Sequence, residues 1–141
     1  MPLKTTAIHH IGYTVPDLEQ ATRFFVEVLG FEIAFQHGPF DEPELGAQFG
    51  TPGGTLHYTF LKLGGQTLEL VQWTHLEQSE QNTHSPLNSD YGGRHLALSV
   101  KDVEEARAML SNVPGVKLLE PRNTFFYFVA PWGMLIQIVP S

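Results

Sequence analysis

Between residues 8 and 15, apolar Ile11, Tyr13 and Val15 alternate with His10, Gly12 and Thr14, the period-two pattern of a strand with one covered face. The period then lengthens. Leu18, Ala21, Phe24, Phe25 and Val28 recur at helical spacing behind Asp17, a capping residue with Gln20 three positions later, and Gly30 supplies the stop. Three strands are expected next, over residues 31–37, 55–63 and 66–73, with Gly64-Gly65 as a tight hairpin between the last two. The order then repeats. A strand over 94–100 leads into a helix with Asp102 and Glu105 at its start and Val103, Ala106, Met109 and Leu110 on its apolar face. Strands over 116–120, 124–129 and 134–139 follow, with Trp132-Gly133 at the final turn.

A single offset of 85 residues pairs His10 with His95, Val15 with Val100, Asp17 with Asp102, Glu19 with Glu104, Ala21 with Ala106 and Gly30 with Gly115, without a gap. Towards the ends of the two copies the offset falls to 68, pairing Leu68 with Ile136, Glu69 with Gln137 and Leu70 with Ile138. The 17 residues that separate the two offsets are residues 38–54, a Gly- and Pro-rich insertion of a length that marks either a functional lid or disorder. These patterns predict an α+β fold of two βαβββ modules in one domain over residues 1–141, with module one at 7–74, a linker at 75–92 and module two at 93–140.

Strand alternation turns His10 away from Ile11 and Tyr13, and His95 away from Leu96 and Leu98, so each histidine lies among small residues: Gly12 and Thr14, Ala97 and Ser99. In the last strand of each module, Leu68 and Leu70, like Ile136 and Ile138, suit the helix side and leave Glu69 and Gln137 on the histidine side. A carboxylate flanked by leucines is costly to bury unless it is paired, protonated or bound to a cation. One divalent ion removes that cost, which makes His10, Glu69, His95 and Gln137 the expected metal ligands. The chain has no cysteine, so thiolate sites and disulfides are excluded, and the nitrogen and oxygen donors suit Zn, Ni, Mn, Co or Fe(II). A polar cavity that binds its ligand without metal is the competing reading of the same residues. His9, His37, His75 and His84 are expected on loops or the surface, whereas His57 lies on a strand able to aim it at the site.

A net charge of −7 repels phosphate backbones and anionic membranes, which argues against a nucleic-acid partner. No apolar run approaches the roughly 20 residues of a membrane span, and residues 1–10 lack the charged start and apolar stretch of a signal peptide. A cytoplasmic protein acting on a small molecule is expected.

The motifs His10-Ile11-Gly12, Val15-Pro16-Asp17-Leu18-Glu19-Gln20-Ala21, Phe24-Phe25-Val26-Glu27-Val28-Leu29-Gly30-Phe31, Leu68-Glu69-Leu70-Val71, His95-Leu96-Ala97-Leu98-Ser99-Val100, and Pro131-Trp132-Gly133 before Gln137 resemble those of the vicinal oxygen chelate superfamily. That superfamily includes glyoxalase I, methylmalonyl-CoA epimerase, fosfomycin resistance proteins, extradiol dioxygenases and bleomycin-binding proteins. The resemblance covers nearly the whole chain and implies a curved mixed sheet of half-barrels around a central cavity, with the helices outside. It also implies a homodimer, and ligands from the first and last strand of each module, which again are His10, Glu69, His95 and Gln137. Gln137 departs from the pattern, because most metal-using relatives have a glutamate there that also moves a proton. An amide accepts no proton at neutral pH, and Glu69 is left as the expected catalytic base.

The function so implied is a metal-dependent lyase or isomerase of the glyoxalase type, acting on a small oxygen-chelating substrate through a metal-stabilised enediolate or oxyanion. An extradiol-type dioxygenase is the alternative enzyme. The alternative outside catalysis is a small-molecule binding or resistance protein with an aromatic pocket drawn from Phe40, Phe49, Trp73, Phe125, Tyr127 and Trp132. Expected substrate contacts are His57, Phe40, Phe49, Trp73 and Tyr127, with Asp41, Glu42 and Glu44 giving the 38–54 insertion the acidic surface of a mobile flap.

Overall fold

In a computed structural model that describes residues 1–40, 42–74, 76, 85–121 and 123–141, apart from the side chains of Pro43 and Glu44, the elements run in the predicted order with one addition. They are β1 (Ile11–Thr14), α1 (Leu18–Glu27), β2 (Glu32–His37), α2 (Pro43–Gln48), β3 (Thr55–Leu63), β4 (Gln66–Thr74), β5 (Leu96–Val100), α3 (Val103–Ser111), β6 (Lys117–Leu118), β7 (Phe126–Val129) and β8 (Leu135–Pro140). They divide between two units, Met1–Gln81 and Asn82–Ser141.

Each unit is a four-stranded mixed sheet, ordered β1-β4-β3-β2 in the first and β5-β8-β7-β6 in the second. The two orders are the same permutation. In both units the first strand lies parallel to the last, with Ile11 opposite Leu68 and Gly12 opposite Glu69, and with Leu96 opposite Ile136 and Ala97 opposite Gln137. The two offsets in the sequence, 85 and 68, are therefore one register used twice. The expected α+β fold of two βαβββ modules is present.

The helices form where their caps predict. The Asp17 carboxylate accepts the Gln20 backbone N–H at 3.0 Å, and that of Asp102 accepts the Glu105 N–H at 2.9 Å. At the far end of α1, Gly30 takes φ 81° and lets the Phe31 N–H reach back to the Phe25 carbonyl at 2.9 Å, satisfying a carbonyl the helix leaves open. The buried face of α1 carries Leu18, Ala21, Phe24 and Phe25, against Leu61, Leu68 and Leu70 from β3 and β4. In the second unit Ile136, Ile138, Phe126 and Phe128 are buried with Leu110 of α3. Between β3 and β4 both Gly64 (φ 55°) and Gly65 (φ 80°) adopt the left-handed region that a two-residue hairpin of this hand requires.

Several expectations need correcting. Residues 38–54 contain a helix, α2, and fold on themselves: Thr51 N–H bonds the Gly46 carbonyl at 2.7 Å, and a Cβ at Gly46 would lie 2.1 Å from the Gly54 carbonyl oxygen. The first strand of each unit is shorter than the alternation suggests, so His10 and His95 each stand one residue ahead of the paired stretch. Ile11 and Met109, assigned to apolar faces, are 52% and 53% exposed, because only one turn of α3 (Leu110) and the later half of β1 (Tyr13) reach the core. No helix among the described residues is long and apolar enough to cross a membrane.

The caps give a direct check. Asp17→Ala and Asp102→Ala are each expected to cost about 1 kcal/mol, read as a lower denaturation midpoint at unchanged m-value.

Candidate functional site

In the first unit, the face of the sheet that carries Glu69 is set by pairing. Glu69 lies between Gly12 on β1 and Phe60 on β3, and a Cβ on Gly12 would sit 3.2 Å from Glu69 Oε1. The small residue therefore makes room for the carboxylate. His10 Nε2 is 3.9 Å from Oε1, with the Glu69 side chain only 12% exposed. Burial pushes the Glu69 carboxyl above its ordinary value of 4.5, and the neighbouring His10 partly opposes the shift. A carboxylate whose proton affinity has been raised is the better proton acceptor.

An aromatic wall extends outwards from this pair. The His10 ring meets Phe60 edge to face at 5.0 Å, Phe60 stacks on Phe35 at 4.9 Å, and His37 stacks on Phe40 at 4.7 Å with Tyr58 between the two groups. Phe35 is 48% exposed, which offers its face to a ligand. Of this wall, sequence reasoning found only Phe40. Phe35, His37, Tyr58 and Phe60 were legible as alternate positions of two strands, once Glu69 was known to oppose Phe60.

The second unit repeats the frame with different chemistry. Gln137 lies between Ala97 on β5 and Tyr127 on β7, the positions of Gly12 and Phe60. His95 packs edge to face on Tyr127 at 5.2 Å, and its Nε2 is 3.5 Å from the phenol oxygen. Its Nδ1 is 2.9 Å from Asn88 Oδ1.

The remaining expected residues fall elsewhere. His57 lies on the face of β3 opposite to Glu69, because Phe60 shares the Glu69 face and positions 57, 59 and 61 alternate away from it. It lines a cleft of about 400 Å³ beside α1, with Thr22, Arg23 and Gln36, and its Nε2 is buried with no hydrogen-bond partner among the described residues. The substrate role expected of His57 does not fit this position. Phe49 and Trp73 touch each other at 6.1 Å, at the end of β4 beside the 38–54 insertion. His9 is next to the site rather than remote from it, with Nδ1 2.7 Å from His10 Nδ1. His75, His84 and Asp41, and the side chain of Glu44, lie outside the described residues.

Among the described residues no three His, Asp or Glu side chains gather as a ready-made ion site. Each unit instead presents two donors on one face: an imidazole and a carboxylate, then an imidazole and an amide. Nitrogen and oxygen donors of these kinds suit a divalent ion of the zinc-to-manganese range.

Comparison with known proteins agrees with this frame. The family model described as Glyoxalase/Bleomycin resistance protein/Dioxygenase superfamily matches residues 7–124. A 2-epi-5-epi-valiolone epimerase from Actinomyces sp is 37% identical over 149 residues, which covers 94% of this chain and 78% of that protein. Among solved structures, a glyoxalase family protein from Bacillus cereus superposes with a TM-score of 0.77 at 17% identity, over 98% of this chain and 97% of its own. The fosfomycin resistance protein FosX from Listeria monocytogenes, complexed with Mn(II) and sulfate, gives a TM-score of 0.63 at 16% identity, over 97% and 93%.

The raised proton affinity of Glu69 has a measurable effect on stability. The folded chain holds this proton more tightly than the unfolded chain, so the contribution is fully present below the ordinary value of 4.5 and is lost as pH rises through the raised folded value. In metal-free protein Glu69→Gln is therefore expected to raise Tm at about pH 7, with the gain shrinking to nothing below about pH 4.5. An equal difference between variant and wild type at both pH values would show that burial does not penalise the charge.

Proposed function

The chain is an enzyme of the Glyoxalase/Bleomycin resistance protein/Dioxygenase superfamily, and on that premise we propose that it is a metal-dependent epimerase. Its substrate would be a small polyhydroxylated carbonyl compound, and its ion would be held by His10, Glu69, His95 and Gln137. The observation that carries the reading is the Glu69 carboxylate, largely buried and with raised proton affinity, beside His10 at 3.9 Å and backed by an aromatic wall. The relative named as an epimerase supports the reaction class, and the Mn(II) in the FosX complex supports the ion.

An ion held by His10, Glu69, His95 and Gln137 would supply stabilisation of the negative charge that develops on a carbonyl oxygen when the adjacent C–H bond breaks. Glu69 takes that proton: the C–H electron pair moves towards the carbonyl, and the carboxylate becomes a carboxylic acid. Returning the proton from Glu69 to the same face regenerates substrate. Inversion needs a second donor, and Gln137, which stands where Glu69 stands in the first unit, has no proton of suitable acidity to give. Tyr127 holds the position that Phe60 holds in the first unit and carries a phenol, which makes it the donor in this reading; its phenolate then takes a proton from solvent while Glu69 releases one to solvent. Phe35, Phe60 and Tyr58, packed against one another, would exclude water from one side of the reacting carbon and meet the C–H face of the substrate. The assembly implied by the family resemblance is a homodimer.

The test is proton exchange. With 2-epi-5-epi-valiolone in D2O and Mn(II) or Zn(II), the wild type is expected to place one deuterium on the carbon next to the carbonyl and to form the epimer. Glu69→Gln should lower both by at least roughly 100-fold. Tyr127→Phe should keep the exchange while slowing epimer formation by about 100-fold. No deuterium uptake under any of these ions, with this or related cyclic ketones, would end the proposal.

A further inference from the structure

We infer that Asn88 is a positioning residue for His95, fixing the imidazole as the Nδ1–H tautomer and leaving the Nε2 lone pair free for a ligand on the Gln137 face. A neutral imidazole has one N–H and one lone pair, and a carboxamide oxygen only accepts. With Asn88 Oδ1 at 2.9 Å from Nδ1, the proton sits on Nδ1 and is donated to Asn88. Nε2 then faces the Tyr127 hydroxyl at 3.5 Å as an acceptor. Nothing in the sequence pattern marks Asn88, which lies seven residues before His95 in the connecting stretch.

The loop that presents Asn88 is closed tightly enough to act as a platform. Leu87 N–H donates to Asp90 Oδ2 at 2.8 Å, Asp90 N–H to the Leu87 carbonyl at 3.1 Å, and Gly93 N–H to the Asp90 carbonyl at 2.7 Å. A Cβ on Gly93 would lie 2.4 to 2.6 Å from the carbonyl oxygens of Leu87, Asn88 and Asp90. Only glycine lets these carbonyls close over the chain. Little entropy is then left to lose when the amide meets the ring.

In the first unit the corresponding nitrogen is also occupied, since His10 Nδ1 is 2.7 Å from His9 Nδ1 while His10 Nε2 faces Glu69. An imidazole partner can donate or accept, whereas the Asn88 oxygen only accepts, so it is Asn88 that selects a tautomer. An outer partner that fixes tautomer and ring angle in this way typically changes metal affinity by about 10- to 100-fold when removed.

The tautomer half of the inference stands without the metal; the affinity half rests on the proposed ion site. The full chain, stripped with a chelator and ¹⁵N-labelled, is examined at about pH 8, where imidazole is neutral, by long-range ¹H–¹⁵N correlation of the His95 ring. Wild type and Asn88→Asp, which keeps the acceptor, are expected to carry the proton on Nδ1, and Asn88→Leu to shift it towards Nε2. Mn(II) or Zn(II) affinity should fall about 10- to 100-fold in Asn88→Leu and stay near wild type in Asn88→Asp. An Nε2–H tautomer in wild type, or no change in Asn88→Leu, overturns the inference. A tautomer that responds while none of the three proteins binds an ion upholds the positioning role and defeats the metal reading instead.

Discussion

The parallel pairing of the first and last strand within each unit is the constraint from which the candidate site follows. A parallel pair cannot close through a hairpin, so a crossover must separate its strands; here a helix and two further strands do so, with α2 added in the first unit. Once Ile11 opposes Leu68, Glu69 must face Gly12 and Phe60, and the same register in the second unit puts Gln137 against Ala97 and Tyr127. A slip of one residue would turn Leu68 and Leu70 to the site and drive Glu69 into the helix-side core. The packing of those leucines therefore specifies the chemistry on the reverse face.

On this shared frame the two units differ at a few positions that matter. Phe60 and Tyr127, and Glu69 and Gln137, occupy corresponding positions with unlike side chains, and the histidine Nδ1 atoms meet His9 in one unit and Asn88 in the other. The first unit carries a carboxylate of raised proton affinity and the aromatic wall, and the second carries a phenol, an amide and an imidazole held by Asn88. Glu69 is also a point where burial works against charge: its side chain is 12% exposed, with His10 Nε2 3.9 Å away. Departures of this kind concentrate at functional sites, where stability is given up for reactivity.

What the sequence revealed was local or repeated. Asp17 and Asp102 announce their helices through the residue three positions on, Gly64-Gly65 marks its hairpin, and the matched pairs from His10 and His95 onwards disclose the duplication without any knowledge of contacts. Leu68, Leu70, Ile136 and Ile138 are buried as their alternation with Glu69 and Gln137 suggests. The strand from Thr55 was harder to orient, because Leu56 and Phe60 on one face and Thr59 and Leu61 on the other are all buried, and a strand covered on both sides loses its period. That is why His57 could not be assigned a face. Helix α2 was hidden for a different reason: its short segment is held by contacts from Gly46 to Thr51 and Gly54 rather than by any strong helical pattern. Asn88 acts through one hydrogen bond from an irregular loop, a relation that leaves no periodic trace.

In the proposed function, each unit supplies part of one ion's donor set. Elemental analysis of untagged protein, wild type beside His10→Ala and His95→Ala, measures this most directly. About one divalent ion per chain is expected in the wild type, with loss of most of it in both variants, one from each unit. If either variant keeps the wild-type ion content, that unit contributes no ligand and the shared site is contradicted.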